Sequence, residues 1–325
     1  MHRSRVPHTT VGLRRFLPVL VLAAFACSAG DAPPQGTKGD RSGDERASVD
    51  RGVATRADGH GPVEIVDAAG RTIPLDEPAS RIVSLVPSAT QTLRALGASD
   101  RLVGRTDYDQ DAWASELPSV GGGLEPNLEA IVTLRPDLVV RFAGSQDRRT
   151  PQRLDDLGIQ HMAVRPDGIA DVLETIRMLG LATGRVAEAD SLAAMIRSDL
   201  ARLEARVAPL PRKSVAYVLG GTPPWVAGPG TYIHELVTLV GGDNVFADLD
   251  ALYAPISPEE VRSRRIDVIL ASGVTAFDPS LAPEARIEIV AEGLEIPGPD
   301  LAQSALRLAE LLHGPLPPTP EPPRP

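Results

Sequence analysis

One helix–strand unit occurs twice in this chain, and that duplication limits the possible folds more than any other feature. The first copy opens at Asn127-Leu128-Glu129, reads as a helix to Leu134 and passes into the strand Asp137-Leu138-Val139-Val140. The second opens at Ser257-Pro258-Glu259-Glu260-Val261 and passes into Asp267-Val268-Ile269-Leu270. In both copies a first-turn Glu precedes the strand-start Asp by eight residues. A chain that carries the same unit in each half is expected to fold as two related lobes.

The surrounding pattern sets the class. Between about 61 and 313, short β-rich runs alternate with helical periodicity, the α/β signature. Arg81 to Leu85 reads as a buried strand, followed by a Pro-Ser turn and a helix from Thr90 to Leu96 that Gly97 stops. Ser214 to Leu219 reads as the matching strand, then Gly220 to Gly230 as a Gly/Pro-rich loop and Tyr232 to Val240 as a helix stopped by Gly241-Gly242. Between the halves, apolar residues recur at helical spacing from Asp167 to Gly184 and from Val186 to Val207, with Pro209 and Pro211 as the stop. The expected architecture is therefore two Rossmann-like lobes, residues 61–166 and 209–313, joined by a long helical connector over 167–208. A helical connector restricts hinge motion, so little opening is expected.

The chain ends read differently. Residues 1–26 carry four Arg and no acid before an uncharged apolar run of 11 residues, a secretory signal peptide too short to span a bilayer. Ala24 and Ala26 lead into Cys27, in a pattern like a bacterial lipobox. Acylation of Cys27 is the expectation, and a thiol lost with the cleaved peptide is the alternative. Residues 27–60 are nearly free of large apolar groups and read as a flexible tether, and 314–325 as a Pro-rich tail. The expected location is the periplasm or the outer face of the cell membrane, held there by the lipid anchor alone.

Charge and composition exclude several functions. Without residues 1–26 the chain has 29 basic against 43 acidic side chains, which speaks against nucleic-acid binding. One Cys cannot close an internal disulfide. Nucleophile-elbow, Walker, dinucleotide and zinc-protease patterns are missing from the sequence, so no catalytic residue is expected. His161, His234 and His313 stand singly, and the Asp107-Asp109-Asp111 run lacks the Gly and Glu of a calcium loop, so no metal site is expected. The glycine runs Gly121–Gly123 and Gly220-Gly221 read as turns that let the backbone approach something closely.

The scarce aromatics are the positive signal. Nine remain outside the signal peptide, and Tyr108, Trp113, Phe142, Trp225 and Tyr253 fall beside Gly, Pro or Asp, just beyond strands or before helices. Those are the ligand-bearing loops of an open α/β sheet, so these rings are expected to wall a cleft for a flat or bulky apolar ligand.

The segments 81–108, 126–140, 157–164, 220–248 and 256–261, taken in order, resemble the periplasmic substrate-binding proteins of ABC importers for cobalamin and iron chelates, nearest to the cobalamin-binding members. The resemblance implies a monomeric carrier that is no enzyme and has no cofactor. It binds cobalamin or a related corrinoid as transported ligand and delivers it to a permease with its ATPase; ferric siderophores and heme are the alternative ligands. It places the ligand-binding aromatics on Tyr108, Phe142, Trp225 and Tyr253, and the permease-docking acids on Glu129 and Glu259. Three positions depart from the family pattern: Gly123 stands where that site has an aromatic, Gln91 where Ser-x-Thr is followed by Glu, and the segment between Val274 and Ile287 is short. A secreted α/β enzyme on the same scaffold is the reading from another class.

Overall fold

The computed structural model describes residues 62–144, 149–273, 277–290 and 294–318. The signal peptide, Cys27, the tether and the end of the tail lie outside the described residues.

The N-terminal half opens with a hairpin, β1 (Val63–Val66) against β2 (Thr72–Leu75). Next come β3 (Ile82–Ser84), α1 (Pro87–Ala95), β4 (Leu102–Gly104), α2 (Leu128–Leu134), β5 (Leu138–Phe142), α3 (Arg149–Asp156) and β6 (His161–Val164). The last four strands form one parallel sheet in the order β4-β3-β5-β6. Alternate residues serve opposite faces: Ile82, Leu138 and Val140 join one apolar cluster, while Val83 and Val139 join another with Ile131 and Leu154. Both faces are thus covered, which is why these strands read as continuous apolar runs. Helix α1 begins three residues earlier than the expected Thr90, because Pro87 is preorganised for the first helical position.

Two helices follow, α4 (Ile169–Thr183) and α5 (Val186–Val207), with left-handed Gly184 ending the first. Both reach both lobes. At the far end of α4 the Ala182 carbonyl accepts from Ala79 of the N-terminal lobe, and α5, about 33 Å long, leaves the Arg185 side chain bonded to the Gly97 carbonyl and the Arg206 side chain to that of Pro317.

The C-terminal half comprises β7 (Lys213–Gly220), β8 (Trp225–Ala227), α6 (Tyr232–Leu239), β9 (Gly242–Asn244), β10 (Tyr253–Pro255), α7 (Pro258–Arg262), β11 (Val268–Ser272), β12 (Arg286–Val290) and α8 (Leu301–His313). Its six-stranded sheet runs β10-β8-β7-β11-β12, with β9 beside the start of β7. The expected loop from 220 to 230 contains β8, a strand paired with β7 on one side and β10 on the other.

One core serves both lobes. The largest apolar cluster contains Ile82, Leu138 and Met162 of the first sheet, Val215, Tyr217 and Leu270 of the second, and Ile176, Leu179, Ile196 and Leu200 of the helices between. Each such side chain gains about 1.5–3 kcal/mol from burial. Prising the lobes apart would expose part of this shared layer.

The duplicated unit is reproduced bond for bond. Asp137 accepts the backbone N–H of Arg81 at 3.0 Å, and Asp267 accepts that of Ser214 at 2.9 Å. In return the N–H groups of Asp137 and Asp267 donate to the Arg81 and Ser214 carbonyls, both at 2.9 Å. Asn127 and Ser257 cap the two short helices through the N–H groups of Ala130 and Glu260, each at 3.1 Å.

Candidate ligand-binding site and docking acids

Trp225 and Tyr253 are brought together by strand register. Antiparallel pairing sets Trp225 opposite Pro255 and Ala227 opposite Tyr253, so the two rings stand one diagonal step apart on the same face. That face is the one turned toward the helices: Tyr217, Ala227 and Tyr253 share the large cluster, whereas Val218 and Val226 pack on the opposite side. The Trp225 indole lies over Gly221, whose φ is +95° and where a Cβ would sit 3.0 Å from the indole Cδ1. Glycine there supplies both the left-handed backbone and the room for the ring.

Tyr108 and Phe142 belong to the other lobe. Phe142 ends β5, paired with Val164. Tyr108 is 40% exposed in the turn after β4. That turn is fixed by Asp109, which accepts from the Thr106 N–H at 2.8 Å and its hydroxyl at 2.7 Å, and by Asp107, whose N–H donates to the Gly121 carbonyl at 2.9 Å. The three aspartates Asp107, Asp109 and Asp111 serve Ser119, Thr106 and Gln91 respectively rather than one centre. Phe142, Trp225 and Tyr253 are strand-end residues, not loop residues as expected. Trp113 packs against the core with Arg94 over its ring at 4.8 Å.

Gly123 is crowded. A Cβ there would lie 2.4 Å from the Leu85 carbonyl oxygen, so no side chain of any kind fits this backbone.

The C-terminal lobe meets the connector and the N-terminal lobe beside these rings. The Tyr232 N–H donates to the Asp167 carbonyl, the Ile169 N–H to Glu235 at 2.7 Å, and Gly298 lies against Ser88 and Gln91. Burial raises the Tyr253 phenol well above its ordinary range, with Asp167 and Glu295 adding to the shift. Asp167 is itself raised by burial against the opposing pull of Arg165, and Glu295 is raised by burial against the Ser272 hydroxyl. Sequence reasoning did not single out Asp167, Tyr217, Ser272 or Glu295. A separate cavity of about 280 Å³ between β12 and α8, lined by Ile289, Leu294, Arg307, Glu310 and Leu311, includes none of the four aromatics.

Glu129 and Glu259 occupy the same first-turn position of α2 and α7, and both are exposed. The Glu259 side chain is 81% exposed and reaches Arg262 only at 3.8 Å, while Glu260 takes the structural work by binding Arg264 at 3.1 Å. His161, His234 and His313 bond to Arg71, Asn244 and the Val240 carbonyl. Among the described residues no group of three potential ligands is arranged to hold a metal ion, and no helix is long and apolar enough to cross a membrane.

The pattern of the periplasmic binding protein family matches residues 82–283. The chain belongs to that family. As a periplasmic binding protein it is a carrier rather than an enzyme, and its α/β fold is the two-lobed one expected. It is 33% identical over 196 residues to the vitamin B12-binding protein of Salmonella typhimurium, covering 60% of this chain and 73% of that one. The periplasmic vitamin B12 binding protein of Vibrio cholerae superposes with a TM-score of 0.62 at 25% identity, covering 72% of this chain and 97% of that one. The apo periplasmic heme-binding protein of Roseiflexus sp. RS-1 gives 0.63 at 23% identity, covering 72% and 98%, a likeness of fold alone.

Proposed function

We propose that this protein captures a corrinoid, cobalamin first, between its lobes and delivers it to the permease and ATPase of an ABC importer. The likeness to the vitamin B12-binding protein of Salmonella typhimurium carries the reading. The paired rings of Trp225 and Tyr253 support it, since a macrocycle offers a broad apolar surface to aromatic faces. Tyr108 and Phe142 face the ligand from the other lobe, and Glu129 and Glu259 pair with basic residues of the permease.

Heme or a ferric hydroxamate is the second reading. It is favoured by Gly123, which takes one ring away from the wall and changes its outline. Absorption spectra of the purified protein after incubation with cyanocobalamin, hemin and a ferric hydroxamate, each followed by desalting, decide between them. Retention of the corrinoid spectrum alone is expected; retention of hemin alone overturns the reading.

The carrier works in the periplasm as a monomer tethered through acylated Cys27, with residues 61–166 and 209–313 as its lobes and 167–208 as the connector. Cys27→Ser is expected to move the protein from the membrane fraction to the soluble one.

A further inference from the structure

Tyr217 and Glu295 are polar groups in places where polar groups are costly. Tyr217 sits mid-strand in β7, 1% exposed, and its hydroxyl has no hydrogen-bond partner among the described residues. The Oε1 atom of Glu295 is buried and equally without a partner. A buried polar atom left unpaired loses its hydration with nothing in return, so such atoms are uncommon in native proteins and call for an explanation.

Their placement supplies one. Tyr217 and Tyr253 share the sheet face that carries Trp225. Ser272, which acts on Glu295, ends β11, the strand between β7 and β12. Glu295 follows β12 and precedes Gly298, which lies against Ser88 and Gln91 of the other lobe. Glu295 therefore lies beyond the carboxyl end of β12, where open α/β sheets hold ligands, and the Tyr217 ring rises from mid-strand in β7 on the sheet face that carries the aromatic pair.

The charge around them sorts ligands. The neighbours acting on Glu295, Tyr217 and Tyr253 are acids, phenols and a hydroxyl, and the guanidinium at Asp167 is Arg165, already paired with it at 2.5 Å. Among the described residues, such a floor offers acceptors to N–H groups and, apart from the paired Arg165, no cation to a carboxylate. A corrin periphery is made of neutral carboxamides, whereas a heme edge carries propionates.

We propose that Glu295 and the Tyr217 hydroxyl form a polar subsite for the amide N–H groups of an uncharged ligand seated on Trp225 and Tyr253, selecting a carboxamide-bearing macrocycle over a carboxylate-bearing one. This rests on capture of the ligand between the lobes.

The test is titration calorimetry on the unmutated chain and on Glu295→Leu, Glu295→Gln and Tyr217→Phe, with cyanocobalamin and hemin as probes. Cyanocobalamin should bind the unmutated protein at least a hundredfold tighter than hemin. Glu295→Leu and Tyr217→Phe should each weaken it about tenfold, the loss typical of one buried hydrogen bond, while Glu295→Gln, which keeps a carbonyl acceptor, should stay within threefold. Should a variant not fold, the cobalamin monocarboxylates titrated against the unmutated protein give the same information: at least one isomer must bind tenfold or more weakly. Normal cyanocobalamin binding with every variant or every isomer within twofold overturns the subsite and leaves the capture reading standing. Preference for hemin, or failure to bind either probe, overturns both.

Discussion

The Glu235 carboxylate accepts the backbone N–H of Ile169 at 2.7 Å and thereby fastens the first turn of a C-terminal-lobe helix to the first turn of the connector. Beside it the Asp167 carbonyl takes the N–H of Tyr232. Together these bonds occupy helix-start donors that side-chain caps do not reach. Glu235→Ala is expected to lower the free energy of unfolding by about 1.5–3 kcal/mol, the range for a hydrogen bond to a charged group, with Glu235→Gln losing less. Urea unfolding measures this, and an unchanged midpoint for the alanine variant would show that the latch contributes nothing.

The register of β8 and β10 makes Trp225 and Tyr253 act as one surface. Each alanine substitution should weaken ligand binding by about 1–3 kcal/mol. Because the rings are neighbours, the double variant should lose less than the sum. Tyr253→Ala should also lower the melting temperature, since that ring packs against the shared core, whereas Trp225→Ala should hardly move it. Strictly additive losses in calorimetry would mean that the two rings touch separate parts of the ligand.

His161 gives stability a pH dependence with a definite sign. Burial first, then the cations of Arg71 and Arg141, hold its imidazole below the ordinary value of 6.5, with Asp155 opposing. The Arg141 Nε donates to Nδ1 at 3.0 Å, and Nε2 stands 3.1 Å from Asp155. The unfolded chain takes up this proton as pH falls through 6.5 and the folded chain does not until lower pH. The contribution is therefore complete above 6.5 and drains away between 6.5 and the depressed folded value. Glu295 and Asp167 act in the reverse sense: their folded values are raised, so their contribution is fullest below their ordinary 4.5 and 3.8 and is lost as pH rises. Denaturation midpoints between pH 7.5 and 5.5 should fall in the native protein and flatten in His161→Gln; parallel slopes would exclude His161 as the source.

Reversing Glu129 and Glu259 to Lys should leave the ligand dissociation constant within twofold and abolish uptake in a reconstituted importer, with either single reversal intermediate. Rim charges act on association rate and register and weaken with salt. If the double variant transports normally but melts lower, the two acids belong to their helix starts alone.

What the sequence could announce was whatever lies within one stretch of chain. The helix–strand unit was legible because its cap, Asn127 or Ser257, and its clasp, Asp137 or Asp267, lie ten residues apart. The connector was legible from apolar spacing, down to the break at Gly184. Strand β8 was hidden, since three residues after a Gly/Pro turn carry no periodicity and become a strand only by pairing on both edges. The sequence around Tyr217 fits an ordinary core ring, and Glu295 stands in Leu294-Glu295-Ile296-Pro297-Gly298, a stretch without periodicity. Their environment is assembled from β11, β12 and the other lobe, and nothing local to either residue foretells it.

The backbone at Gly123 limits how this region can change. With the Leu85 carbonyl 2.4 Å from where a first side-chain carbon would stand, no single substitution can place a ring at this position on the present backbone. The loop would have to withdraw first, and with glycine in place nothing rewards its withdrawal. If the proposed site is right, its outline can be retuned by substitution at Tyr108, Phe142, Trp225 and Tyr253, but not at Gly123 without moving the backbone.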